Sequence, residues 1–229
     1  MKKYLVISVI VIIVGVIFFI WSKNYFVQPF NNVQDIPIQD EKQMLPNDII
    51  SPEVPNISDA KSRDFQSPLE RANERVIKKY FGIFITQQNS PIQPERFYGY
   101  HTGTDFEIFP EERDAPVVVK AICTGQVLVK RSATGYGGVV VQSCDVNGQP
   151  VTVIYGHMKL ASISQKIGDH VDMGEEIGVL GSDKSIETGG ERKHLHLGIH
   201  KGTGINIMGY VQKKNELDAW LDPCVYVCD

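Results

Sequence analysis

The residues most suited to chemistry are four of the six histidines and one aspartate. In His194-Leu195-His196-Leu197-Gly198-Ile199-His200 the apolar residues alternate strictly with the imidazoles, the two-residue period of a β-strand. On a strand His194 and His196 lie ~6.6 Å apart on one face, close enough to address the same bound species, whereas on a helix they would diverge. His200 lies further along and reads as a solvated end. A second cluster is His101-Thr102-Gly103-Thr104-Asp105. Fully extended, its ends would be ~13 Å apart, too far to share a metal through bonds of ~2 Å. The chain must therefore bend between them, and Gly103 is the residue expected to allow it. Taken alone, Asp105 could equally cap a turn. His157, in Tyr155-Gly156-His157, ends a β-like run, and His170, in a polar turn-rich stretch, reads as surface.

These residues need a rigid frame, and the chain from about Arg75 to Asp229 supplies β-branched runs punctuated by glycine. They include Val117–Val119, Gln126–Val129, Gly138–Val141, Val151–Tyr155 and His194–His200. Short connections and the absence of a long amphipathic helical pattern predict an all-β domain, a mostly antiparallel sandwich or barrel-like fold. Arg75–Ile77 and Phe81–Ile85 also read as β. Ser67-Pro68-Leu69-Glu70 carries a capping box and should open a short helix. Four cysteines allow three pairings. A hairpin around Ser132–Tyr136 would set Cys123 nearly opposite Cys144, leaving Cys224 to pair with Cys228, which suits an oxidising compartment.

The remaining sequence is organised differently. Tyr4 to Trp21 contains no charge and is mostly aliphatic, and eighteen helical residues rise ~27 Å, near the thickness of a bilayer core. Lys2 and Lys3 favour a cytoplasmic N-terminus. The expectation is a single-pass anchor in the cytoplasmic membrane over residues 1–22, with the rest of the chain on the extracytoplasmic side. Residues 23–70 hold six of the twelve prolines and no glycine, with Asp35, Asp40, Glu41, Asp48, Glu53, Asp59 and Asp64 outnumbering the bases. That composition predicts a disordered, semi-extended spacer, with the folded domain at 71–229. A formal charge of −4 leaves no basic surplus for nucleic acid.

In their order and spacing, His101 with Asp105, Tyr155-Gly156-His157, the glycine frame from Gly168 to Gly178 and His194-Leu195-His196-Leu197 resemble the lysostaphin-like (LytM-type) zinc endopeptidases of bacterial peptidoglycan. The resemblance implies that His101, Asp105 and His196 are zinc ligands, that His157 and His194 are catalytic, and that peptidoglycan peptides are the substrate. Two imidazoles and a carboxylate suit zinc and leave a fourth position for water. The stretch Ser182–Lys193 departs from the family pattern, being longer and more charged, and by itself reads as a solvated turn. A non-catalytic scaffold or activator of wall hydrolases on the same fold is the competing expectation. The sequence names no protein activator.

Overall fold

A computed structural model describes residues 65–228. The expected anchor at 1–22 and nearly all of the spacer fall outside these residues. Among the described residues no helix is long and apolar enough to cross a membrane.

The strands are β1 (Phe84–Ile85), β2 (Gly99–His101), β3 (Gly103–Glu107), β4 (Val118–Lys120), β5 (Gly125–Ala133) and β6 (Gly137–Val146). They continue with β7 (Gln149–Gly156), β8 (His170–Val171), β9 (Glu176–Val179), β10 (His194–Lys201), β11 (Tyr210–Val211) and β12 (Trp220–Leu221). Two one-turn helices, α1 (Ala72–Arg75) and α2 (Cys224–Val227), and three 3₁₀ turns complete the described elements. The paired strands run antiparallel, as the alternating pattern predicts.

The main sheet runs β12-β10-β7-β6-β5-β8, and β3 joins it on β10. The smaller sheets are β1-β2-β11 and β4-β9. β10 is interior, hydrogen-bonded to β7 along one edge and to β3 and β12 along the other. Its odd-numbered residues Leu195, Leu197 and Ile199 are fully buried in the principal core with Phe106, Val140, Val153 and Tyr155. Val139, Val141 and Ile154 face the opposite side and pack with Tyr136 and Trp220. β6 and β7 are therefore covered on both faces, which is why they read as nearly unbroken apolar runs.

Two local expectations are corrected. Ser67 does not cap a helix, because its hydroxyl donates to the Val227 carbonyl at 2.6 Å, and helix α1 begins only at Ala72 after a left-handed Arg71. Arg75–Ile77 is not a strand either. Arg75 closes α1, where its guanidinium donates to the Glu70 and Glu107 carbonyls and to the Glu112 carboxylate. Phe65 and Leu69, on the spacer side of the expected boundary at residue 71, pack in the core. The cysteines pair as Cys123–Cys144, whose Cα atoms are 6.1 Å apart, and Cys224–Cys228, as expected.

Candidate metal centre

Strand register assembles the site. β3 and β10 pair so that His196 lies opposite Asp105 and His194 opposite Glu107, with Leu195 and Phe106 turned to the core between them. The even-numbered side chains of β10 and the odd-numbered ones of β3 therefore share the face away from the core. His101 arrives from β2 after a reversal at Thr102, whose amide donates to the Gly209 carbonyl at 3.0 Å. The bend is thus not made by Gly103, which does not adopt a positive φ. Gly103 is needed for another reason: a Cβ there would lie 2.4 Å from the Leu197 carbonyl oxygen and 2.7 Å from His196 Nε2.

The result is a compact triangle. His101 Nε2 and His196 Nδ1 are 3.0 Å apart, His196 Nδ1 and Asp105 Oδ1 3.1 Å, and His101 Nε2 and Asp105 Oδ1 3.3 Å. Ligands on a tetrahedral zinc with bonds of about 2.0–2.1 Å are separated by about 3.3 Å, so these three atoms already form one face of such a tetrahedron. Their protonation agrees. His101 Nδ1 faces the Tyr80 carbonyl at 3.3 Å, a contact only N–H can make, which leaves Nε2 with a lone pair. A divalent cation bound by the three atoms would displace whatever proton lies between them. Burial pushes the His196 imidazole down to about 4, keeping it neutral as metal ligation requires. Burial opposes the charge on Asp105, but His194 and His101 outweigh it and hold the carboxyl well below its usual range. The donor set and its spacing therefore fit zinc.

Two more imidazoles stand beside the triangle. His157 follows the last residue of β7 in a left-handed conformation, φ 65°, which is costly for a residue with a Cβ and is kept where surrounding structure fixes it. Here the fixing partners are the carbonyls of Tyr136 and Thr188, which both accept from His157 Nδ1–H, at 2.9 and 3.0 Å. That leaves His157 Nε2 as a free lone pair. Burial, and after it the neighbouring His194, push this imidazole well below its ordinary value. The His194 ring is 4.2 Å away between centroids; its Nδ1–H donates to the Arg192 carbonyl at 2.8 Å and its Nε2 is 3.2 Å from Asp105 Oδ2. The five residues singled out in the sequence thus lie together. His200 packs edge-on against Trp220, and His170 is exposed beside Asp172.

All five line one cleft of about 500 Å³, with Phe97, Tyr136, Ile207, Met208 and Tyr210 among its walls. Tyr136 stands edge-on to His196 at 5.2 Å, and Tyr210 flanks His101 at 5.1 Å. Tyr136 Oη is buried without a hydrogen-bond partner among the described residues, and burial pushes the phenol well above its ordinary value.

This geometry agrees with comparison to known proteins. Residues 99–208, which contain all five of these residues, match the family model described as peptidase family M23. Over these residues the chain is similar to M23 peptidases. No curated protein matches the chain. Among solved structures, that of LytU is 23% identical and covers 66% of this chain and 84% of its own, with a TM-score of 0.43. A putative glycyl-glycine endopeptidase lytM from Ruminococcus gnavus is 22% identical over 65% of this chain and 62% of its own, with a TM-score of 0.38. The SpoIIIAH–SpoIIQ complex gives 18%, 71%, 99% and 0.46. Likenesses this distant add nothing to the family match.

One stretch of the matched region departs in part from its sequence reading. Ser182–Lys184 and Ile186 are exposed, as a solvated turn would be, but Thr188, Glu191, Arg192 and Lys193 are buried. Lys193 Nζ donates to the carbonyls of Glu112 and Arg113 at 2.9 and 3.3 Å, Glu191 accepts from Arg96 Nε at 2.9 Å, and Arg192 reaches Asp105. The reading failed because these partners lie about eighty to a hundred positions away. The residues missed were Arg192 and the two cleft tyrosines. The unusual length and charge of the stretch was the one signal for Arg192, and Tyr136 had only its flanking glycines.

Proposed function

We propose that this chain is a zinc metalloendopeptidase that hydrolyses stem or cross-link peptides of bacterial peptidoglycan, held on the outer side of the cytoplasmic membrane by residues 1–22 and spaced from it by residues 23–70. The observation that carries the reading is the triangle of His101, Asp105 and His196, with the edge lengths of a zinc tetrahedron, at the floor of a cleft flanked by His157 and His194. Zinc bound there would polarise the scissile carbonyl and lower the pKa of a bound water toward about 7.

The protein's own groups divide the proton transfers. His157, neutral and fixed by two carbonyls through Nδ1–H, offers Nε2 as the proton acceptor. His194, fixed through Nδ1–H on the Arg192 carbonyl with Nε2 3.2 Å from Asp105 Oδ2, is placed to pass a proton received at Nε2 to the leaving amine. Both imidazoles are buried beside the apolar and aromatic cleft wall. Two disulfides support an oxidising, extracytoplasmic location, and the uncharged stretch Tyr4–Trp21 supports the anchor.

The test is digestion of purified peptidoglycan with zinc-loaded protein, counting new amino termini. Release by the wild type and none by His196→Ala is the expected result. No release by either, with stoichiometric zinc bound to the wild type, would leave the scaffold reading in its place. An alkaline phosphatase fusion after residue 70 should be active outside the membrane, and inactivity would overturn the topology.

A further inference from the structure

Asp105 has two oxygens and the structure treats them differently. Oδ1 faces the triangle, 3.1 Å from His196 Nδ1 and 3.3 Å from His101 Nε2. Oδ2 faces away from it, accepting from Arg192 Nη2 at 2.8 Å with His194 Nε2 at 3.2 Å. The guanidinium is itself anchored: its Nε donates to both Glu107 oxygens at 2.9 and 3.0 Å, and Glu107 Oε2 also accepts from Lys78 Nζ at 3.0 Å. Asp105 and Glu107 sit two residues apart on the same face of β3, so one planar arginine can span them, which a lysine ammonium could not do in the same way. Asp105, Glu107 and Arg192 are all more than nine-tenths buried, so the contacts are little screened by solvent. The loop that delivers Arg192 is clamped on either side, by Lys193 on the carbonyls of Glu112 and Arg113 and by Glu191 on Arg96.

We infer that Arg192 is a positioning residue that reserves Asp105 Oδ1 alone for the metal by occupying Oδ2. The inference rests on the zinc reading above. A carboxylate with both oxygens free can clasp a cation with the pair, which raises the coordination number and takes the position a catalytic site must keep for water. Occupying Oδ2 prevents that and also fixes the rotation of the carboxylate, as partners of metal ligands commonly do. Glu107 lies between Arg192 and Lys78 and offsets the guanidinium charge beside the cation. The departure of Ser182–Lys193 from the family pattern thus reaches the metal centre itself.

The experiment uses the full chain and a charge-balanced pair of substitutions, Arg192→Met with Glu107→Gln, so that no carboxylate is left buried and unpaired. Zinc affinity is read by chelator competition, and coordination number by the visible spectrum of the cobalt(II)-loaded protein. The pair variant should lose about 10–100-fold in zinc affinity, and its cobalt bands should weaken as four-coordination gives way to five. Arg192→Lys keeps the charge near Oδ2 but not the span to Glu107, so it should lose less affinity than the pair variant and keep the four-coordinate spectrum. If the pair variant fails to fold, Arg192→Gln read against Arg192→Lys supplies the same comparison. A folded pair variant with wild-type zinc affinity and wild-type cobalt bands overturns the assignment alone. A wild-type chain that takes up no zinc overturns the zinc reading, and this assignment with it.

Discussion

Gly103→Ala is the sharpest small perturbation of the site. Ordinary contact begins near 3.4 Å, and a Cβ at residue 103 would lie 2.4 Å from the Leu197 carbonyl oxygen and 2.7 Å from His196 Nε2. One methyl group is therefore about 1 Å too close to a backbone atom and somewhat less to a ligand ring. Leu197 cannot retreat cheaply, since β10 is bonded to β3 on one edge and β7 on the other, and its own side chain is fully buried. The strain must go into spreading β3 from β10 or turning the His196 ring, and overpacking of this kind costs about 1–3 kcal/mol. For a domain of this size that is a drop of about 2–4 °C in Tm for each kcal/mol. Either displacement opens the ligand triangle, and a 1 Å misplacement at reacting groups can cost about 100-fold in rate. Thermal melting, zinc stoichiometry and peptidoglycan hydrolysis measured on one preparation give the answer. A Gly103→Ala protein that melts, binds zinc and hydrolyses like the wild type would refute both the register and the packing argument.

Replacing Cys123 and Cys144 together by serine should lower stability in denaturant titrations by about 3 kcal/mol, the loop-closure value for a link of this span, and replacing Cys224 and Cys228 should cost less. Tyr136→Phe removes a buried hydroxyl with no partner, so the melting temperature should hold or rise; a fall in kcat at unchanged KM would mark the hydroxyl as a donor to substrate. In the metal-free protein, stability should decline as pH falls from about 6.5 toward 4. Over that interval the unfolded chain takes up protons at His157 and His196 that the buried rings refuse, and His196 alone accounts for about 3 kcal/mol. Denaturant titrations at pH 7 and pH 4.5 measure this, and a flat profile would contradict it.

Much of the site was legible because a strand converts sequence into geometry without intermediaries. Alternation in His194–His200 fixes which side chains share a face, and the structure needs only the register of β3 against β10 to bring Asp105 to His196. What the sequence could not convey depends on distant partners. Glu191, Arg192 and Lys193 look solvated until Arg96, Glu107 and Glu112 are in place around them. Gly103 looked like a hinge, since chain reversal is the ordinary reason for a glycine, whereas the reason here is a neighbouring carbonyl that only tertiary structure supplies. Ser67 carried a sound capping signal, and the Val227 carbonyl, 160 positions away, took its hydroxyl instead.

The three corners of the triangle do not come from one sheet: His101 belongs to β1-β2-β11, while Asp105 and His196 belong to the large sheet. The small sheet is built of strands only two or three residues long, so it has few bonds of its own to resist fraying. A cation at their meeting point would act as a rivet, transferring the rigidity of the broad sheet to its slight neighbour. Chelation should then quicken amide exchange in β1, β2 and β11 while leaving β6 and β7 as slow as before.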